Sequence, residues 1–467
     1  MNLLREKIKL IADPKRVILR FFFPGNIKRA NNIINKVLDL SEAEVKNQLE
    51  DVMKLFNNRH KNFTKVLKAN FNLITKKVPV SIAVSEDCQL LTGSYFTSEY
   101  SIEAAALFNP SIVPHFDQGN VDEKELRFIL SQRATGEGHI SSIKFCEGIL
   151  SENGSVNLSA GSKYSVPSSI KKDVQFSKKF FTERLIDQSK NEFDFFQSMN
   201  DQFSRDEIES KLNCNNDEVI NIADLVDSNY DCEFESELSL SEKVLFPLSK
   251  TECMGMEDAR FVLFNEDSGD RNYYGTYTAY NGKNIKTQLI STKDFNHFKI
   301  RTLHGAAIKD KGFAIFPRKI NGKYYITSRL DGENIYMMNS DDLYFWNNSS
   351  IIQLPEEPWQ YVQLGNCGSP LETKDGWLLI THAVGPMRRY VISAILLDLN
   401  DPSKVIGRLN ESLIEPTEEE REGYVPNVVY SCGSIIHNDN LIIPYAVSDS
   451  ACGFARIELD EVINKMK

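Results

Sequence analysis

Between residues 26 and about 76 the apolar positions recur three and four apart. Ile33, Ile34, Val37 and Leu38 mark one helical face. Val45, Leu49, Val52, Met53 and Leu55 mark a second, preceded by Ser41 and Glu44 at capping-box spacing. The pattern predicts a small helical appendage over 1–76. Arg59, His60, Lys61, Lys65 and Lys68 follow at helical intervals, the spacing of a solvated face. From residue 77 onward the texture changes to short β-like runs divided by Gly, Asn and Asp turns. One polar, helix-friendly stretch, "SKKFFTERLIDQSKNEFDFFQSMNDQFSRDEIESKLN", interrupts them and predicts a helical insertion at about 170–240.

Stacking the turn-then-aromatic pieces of the β part exposes a weak repeat. "NPSIVPHFDQGNVDEKELRFILSQRATG", "DARFVLFNEDSGDRNYYGTYTAYNG", "FAIFPRKINGKYYITSRLDG", "GSPLETKDGWLLITHAVG" and "GSIIHNDNLIIPYAVSD" each read as strand, turn, strand. With the insertion set aside they recur at roughly the spacing of propeller blades. The expectation is a mainly β chain: a five-bladed β-propeller over 77–467, carrying the helical appendage and the helical insertion. A sandwich or jelly roll is the alternative that the same strands allow.

Composition narrows the function classes. At 467 residues, with 41% hydrophobic and 10% aromatic residues, the chain has ample material for a core. A formal charge of -11 gives no global attraction to nucleic acid or anionic lipid. Eight cysteines without a CxxC pair, and without His at zinc-ligand spacing, suit a reduced chain with no metal. The first residues lack an uninterrupted signal-peptide core, and no run reaches the roughly 20 apolar residues of a membrane span. A cytoplasmic protein is expected.

In a propeller, polar residues at equivalent positions of different blades meet at one mouth. Collected blade by blade, they are Asn109, Arg133 and His139; Glu257, Asp258 and Arg260; Arg318, Lys319, Arg329, Asp331 and Glu333; His382, Arg388 and Arg389; Asn427 and Asp449. A few acids stand among many cations. Hydrolysis of a glycoside with inversion needs an acid and, roughly 6.5–9.5 Å away, a base that activates water. If phosphate replaces the water, the second carboxylate is superfluous and cations that grip an anion take its place.

"GMEDARF" at 255–261 resembles the Gly-x-Glu-Asp-Pro-Arg signature of glycoside hydrolase family 130, the mannoside phosphorylases and related mannosidases. "FNPS", "SQRA", "FPRKINGKYYITSR", "GWLLITHAVG", "LLDLNDPSKVIGR", "YVPNVVYSCGSI" and "YAVSDSACGFARI" extend the likeness in order over roughly residues 100–460. The resemblance implies a five-bladed propeller that cleaves β-mannosides in a disaccharide or oligosaccharide, with inorganic phosphate as co-substrate and no cofactor. It implies Asp258 as the acid, acting through the sugar's 3-hydroxyl. It places Asn109, Arg133 and Asp449 around the sugar and Lys319, Arg329 and His382 near phosphate; the residues themselves add Glu257, Arg260 and Asp331 to the sugar's surroundings and Arg388 and Arg389 to the phosphate's. Ala259 replaces the signature proline, which loosens a φ constraint and removes no reactive group.

Desolvation beside Glu257 is expected to raise the pKa of Asp258. An inverting β-mannosidase, with Glu333 as base, and a non-catalytic carbohydrate-binding propeller are the rival readings. The glycines around His139 are not followed by GK[ST], so a nucleotide loop is excluded. Of the tryptophans, Trp377 reads as core and Trp359 as a candidate for an acceptor subsite. The helical appendage has two uses open to it, packing on the β part or pairing with a second copy, so a homo-oligomer stays among the expected partners.

Overall fold

The computed structural model describes residues 1–80, 84–119, 121–171, 174–182, 190–212 and 220–466. Helices Ile27–Leu38, Glu42–Phe56 and Phe63–Lys77 form over the periodic N-terminal region. The capping box is made as its spacing predicts: the Ser41 N–H donates to Glu44 at 2.8 Å, and the Glu44 N–H donates to the Ser41 hydroxyl. A fourth helix, Glu86–Tyr95, carries the helical layer beyond residue 76. Its Gly93 is the reason it packs so closely, since a Cβ there would sit 2.0 Å from the Leu67 carbonyl oxygen.

The basic stretch after the second helix does more than face solvent. Lys61 reaches Glu242 at 2.7 Å and Lys65 reaches Glu235 at 2.5 Å, which docks the helices on the loop before the second large strand group. The Lys65–Glu235 pair is exposed and contributes little, whereas Glu242 is buried. The firmer clamp is Glu103, 1% exposed, which takes Arg16 at 3.1 Å and Lys144 at 2.9 Å, so the N-terminal segment is held to the strand Ser141–Leu150.

The polar stretch folds into helices Lys178–Thr182, Lys190–Gln197, Arg205–Leu212 and Ile220–Asp227. The tripeptide Gln-Phe-Ser occurs twice, at Gln175–Ser177 and Gln202–Ser204, and the two copies pair antiparallel with Phe176 opposite Phe203. Those rings, with Phe181 and Phe196, form a core of their own.

Val17–Phe21 and Thr97–Ser101 pair as a two-stranded sheet, and the remaining described strands make four large sheets. The largest joins two antiparallel groups, one built on Ala106–Pro114, Leu126–Thr135 and Ser141–Leu150, the other on Gly255–Asn265, Arg271–Tyr280, Ile285–Thr292 and His297–Thr302. Their link is the pairing of Gly255 with Ser141. Next come Lys311–Ile315, Tyr324–Arg329, Ile335–Ser340 and Ser349–Gln353, then Gln363–Asn366, Trp377–Val384, Tyr390–Leu397 and Val405–Arg408. The last sheet contains Val429–Tyr430, Asn440–Val447 and Ala451–Glu458, and the N-terminal residues Leu4 and Leu10 pair onto its final strand.

Apolar layers fill the spaces between successive groups. Phe145, Phe261 and Phe298 lie between the first and second; Val262, Phe313 and Trp346 between the second and third; Phe316, Trp377 and Leu379 between the third and fourth. Ile380, Ile392 and Ile443 lie between the fourth and fifth, and Ile112, Phe128, Ile442 and Phe454 between the fifth and first. Strands buried on both faces read as continuous apolar runs, and Trp377–Val384 is buried along its whole length. Each large side chain so buried contributes about 1.5–3 kcal/mol against exposure.

Candidate active site

Three strands share one local device. The register slips between Phe108 and Ser111, between Glu257 and Arg260, and between Lys311 and Ala314. At each slip one residue adopts a left-handed backbone: Asn109 at φ 49°, Asp258 at φ 56° and Gly312 at φ 83°. Asn, Asp and Gly are the residues that tolerate this conformation, and a bulge re-aims the side chains around it. All three residues line one cavity of about 330 Å³.

One end of the cavity is acidic. The Asp258 carboxylate accepts from the Asn109 amide at 2.6 Å and from Arg133 Nη1 at 3.0 Å. Arg133 is stretched between partners: Nη2 meets Glu257 at 2.6 Å, Nε donates to Ser141 at 2.9 Å, and the guanidinium lies over the Phe108 ring. Arg260 turns away from the carboxylate, donating to the Asp258 carbonyl at 2.9 Å and to the Tyr430 hydroxyl at 2.6 Å. Asp449, also left-handed at φ 49°, completes this part of the lining.

The other cations are less engaged. Among the described residues Lys311 and Arg388 make no ion pair, and Arg329 meets Asp310 through Nε at 3.4 Å. Gln363 and Asn366 stand beside them. His382 is buried, its Nδ1 3.3 Å from the Asn366 carbonyl and its Nε2 3.2 Å from the Gln363 amide nitrogen. Burial, then the charges of Arg329 and Arg260, hold its pKa well below the ordinary histidine value. His382 is therefore neutral at pH 7: Nδ1 donates to the carbonyl and Nε2 accepts from Gln363. It faces the cavity as a ring held in place, not as a cation.

The carboxylates divide differently from the expectation. Burial alone would raise the pKa of Asp258, but Arg133, Lys311 and Arg260 together with the Asn109 amide hold it well below the usual carboxylate range. The raised values fall on its neighbours. Burial outweighs Arg133 at Glu257, and burial with the nearby Asp258 charge lifts Asp449 to about 6. The expected raised pKa of Asp258 is thus overturned, because three cations and the Asn109 amide outweigh desolvation and the neighbouring Glu257.

Of the residues singled out in the sequence, Asn109, Arg133, Asp258, Arg260, Arg329, His382, Arg388 and Asp449 come together on the cavity lining, and Glu257 stands behind it on Arg133. Lys319, Asp331 and Arg389 are not on the lining. Lys319 pairs with Asp267 at 2.9 Å and lies over Tyr324. Asp331 closes its own turn, accepting from the Glu333 and Asn334 N–H groups and from the Tyr336 hydroxyl. Arg389 pairs with Glu415.

Glu333 is exposed and outside the cavity, and Trp346 and Trp377 are fully buried core. Trp359 is partly buried against Gly385. Lys311, Gln363, Asn366, Tyr390 and Tyr430 line the cavity without having been singled out. For Lys311 a signal existed: "KGF" aligns with "FNP" and "EDA" once the three bulged strands are superposed.

A family model described as beta-1,4-mannooligosaccharide phosphorylase matches residues 211–467. A 1,2-beta-oligomannan phosphorylase of Thermoanaerobacter sp. (strain X514) is 34% identical over 232 residues, which cover 48% of this chain and 75% of that one. A beta-1,2-mannobiose phosphorylase of Listeria innocua serovar 6a is 30% identical over 237 residues, covering 49% and 65%. The solved Listeria innocua beta-1,2-mannobiose phosphorylase in complex with beta-1,2-mannobiose has a TM-score of 0.48 at 23% identity, over 78% of this chain and 92% of that one. A Bacteroides ovatus structure assigned to the glycoside hydrolases shares the fold with a TM-score of 0.50 at 18% identity, over 79% and 91%. The matched region includes the Gly255–Arg260 bulge and every lining strand after it, and on that match the chain belongs to glycoside hydrolase family 130.

Proposed function

We propose that the protein is an inverting β-mannoside phosphorylase. The observation that carries this reading is the distribution of charge in the cavity. Asp258 is tied to Asn109 and Arg133 at one end, while Lys311, Arg329 and Arg388 line the rest with donors left over for an anion. Guanidinium and ammonium groups in that state suit the bidentate, charge-assisted grip of phosphate. The mannoside phosphorylases among the relatives point to the same substrate class.

In this mechanism Asn109, Arg133 and Asp449 hold the sugar. A phosphate oxygen attacks the anomeric carbon from the face opposite the leaving oxygen. That carbon–oxygen bond breaks, and the proton of Asp258 reaches the departing oxygen through the sugar's 3-hydroxyl, the route the family resemblance implies. The products are α-mannose 1-phosphate and the shortened acceptor, and Asp258 is left ionised. Asp258 must take up its proton before this step, and a bound phosphate favours that by offsetting Lys311, one of the three cations that lower its pKa.

The hydrolytic alternative needs a base across from Asp258, and Glu333 stands outside the cavity. Asp449, the other lining carboxylate, shares the acidic end with Asp258 and Arg133, which supports a role on the sugar's side. For the fold, we propose that the five strand groups are the blades of a five-bladed propeller. The five interleaved apolar layers support it, as does the Cys432 N–H donating to the Pro110 carbonyl at 2.9 Å, which joins the last group to the first. Residues 77–467 are the catalytic domain in this reading, with 170–240 inserted.

The test is incubation with β-1,2- and β-1,4-mannobiose, with and without phosphate. Mannose 1-phosphate released only with phosphate is expected, and free mannose at equal rates in both would sink the proposal.

A further inference from the structure

A cavity of about 330 Å³ is small for its task. Pockets that enclose a whole small ligand run from roughly 300 to 1,000 Å³, so once phosphate and the sugar under attack are inside, further sugar units lie across the rim. The rim is not uniformly polar. Tyr424, 54% exposed, precedes Val425, which lines the cavity. Its hydroxyl lies 3.2 Å from His139 Nδ1 and the two rings are 5.9 Å apart, so two loops far apart in sequence meet there.

Both loops are anchored to the site. His139 follows the strand that carries Arg133, and the Tyr100 hydroxyl donates to the Glu137 carbonyl at 2.7 Å. On the other side the Val425 N–H donates to the Ser448 carbonyl at 3.0 Å, next to Asp449. An exposed aromatic face with a hydroxyl and an imidazole at its edge, fixed at the mouth of a polar cavity, matches the surface of a pyranose. Such a sugar offers C–H groups on one face and hydroxyls around its rim.

We propose that Tyr424, braced by His139, is the platform for a sugar unit beyond those inside the cavity, so that the site grips β-mannosides longer than a disaccharide. This rests on the reading above for the nature of the ligand, and not on phosphorolysis itself.

The test is therefore a binding equilibrium. β-Mannobiose and β-mannotriose, each in β-1,2 and β-1,4 linkage, are titrated by calorimetry into the full-length protein, Tyr424→Ala and Tyr424→Phe, with thermal unfolding checked for each variant. For at least one linkage the wild type should bind the trisaccharide about tenfold more tightly than the disaccharide. Tyr424→Ala should abolish that advantage, and Tyr424→Phe should keep most of it. A trisaccharide advantage that survives in Tyr424→Ala, or no advantage in the wild type for either linkage, overturns the platform. Failure of the phosphorylase reading has a different signature, the absence of mannose 1-phosphate in the turnover assay.

Discussion

Asp449 and Asp258 are two carboxylates of one cavity with opposite tuning, and each makes a test. The pKa of Asp449 rises to about 6 in the folded protein, from an ordinary value of 3.8. A carboxyl raised on folding contributes stability that is fully present below the unfolded value and is lost as pH climbs through the folded one. Asp449→Asn should therefore stabilise the protein at pH 8, by at most about 3 kcal/mol, and should gain nothing at pH 4. Paired thermal melts at the two pH values check this; a gain of equal size at both would contradict it. Lys311 tests the proposed phosphate end. Loss of one charge-assisted bond to an anion costs about 1.5–3 kcal/mol, so Lys311→Met should raise the KM for phosphate about 10- to 100-fold and leave the KM for the mannoside less affected. Initial rates with each substrate varied in turn separate the two.

At the scale of elements, the legible parts were those with a local physical signature. The Ser41 and Glu44 box follows from spacing alone, and the strand-turn-strand pieces announce themselves through their turns. The fourth helix was not legible, because its Gly93 is set by contact with Leu67, a neighbour that the sequence does not display. The same limit explains the residues that miss the cavity. Lys319 is held by Asp267 and Arg389 by Glu415, partners that the sequence does not display. Asp331 looks like a site acid and is spent on its own turn. Lys311 and Gln363 carry no motif, and only the bulge alignment or the fold brings them to the cavity. Gly365 is a case of contact-determined identity: a Cβ there would lie 2.3 Å from His382 Cε1. Gly365→Ala should displace that ring, lowering kcat/KM while costing about 1–3 kcal/mol of stability. Steady-state kinetics beside denaturant unfolding would reveal it, and unchanged kinetics would show that the ring's position is unimportant.

At the scale of the whole molecule, the two ends of the chain are built into the β part. Leu4 and Leu10 pair with the last strand, and Arg16 reaches the buried Glu103 that Lys144 shares. Removing the common anion leaves two cations without their partner inside the protein. Glu103→Ala should therefore destabilise by about 3–5 kcal/mol, read from denaturant unfolding, although it lies outside the cavity. No helix among the described residues is long and apolar enough to cross a membrane.

The central claim is that phosphate takes the place of water and its base, and it concerns the fate of one bond. Phosphorus NMR of the reaction with β-mannobiose and inorganic phosphate follows that bond directly. One α-mannosyl phosphate is expected for every linkage cleaved, with no cleavage when phosphate is withheld. Free mannose accumulating at a rate indifferent to phosphate, or a product in the β configuration, would contradict it.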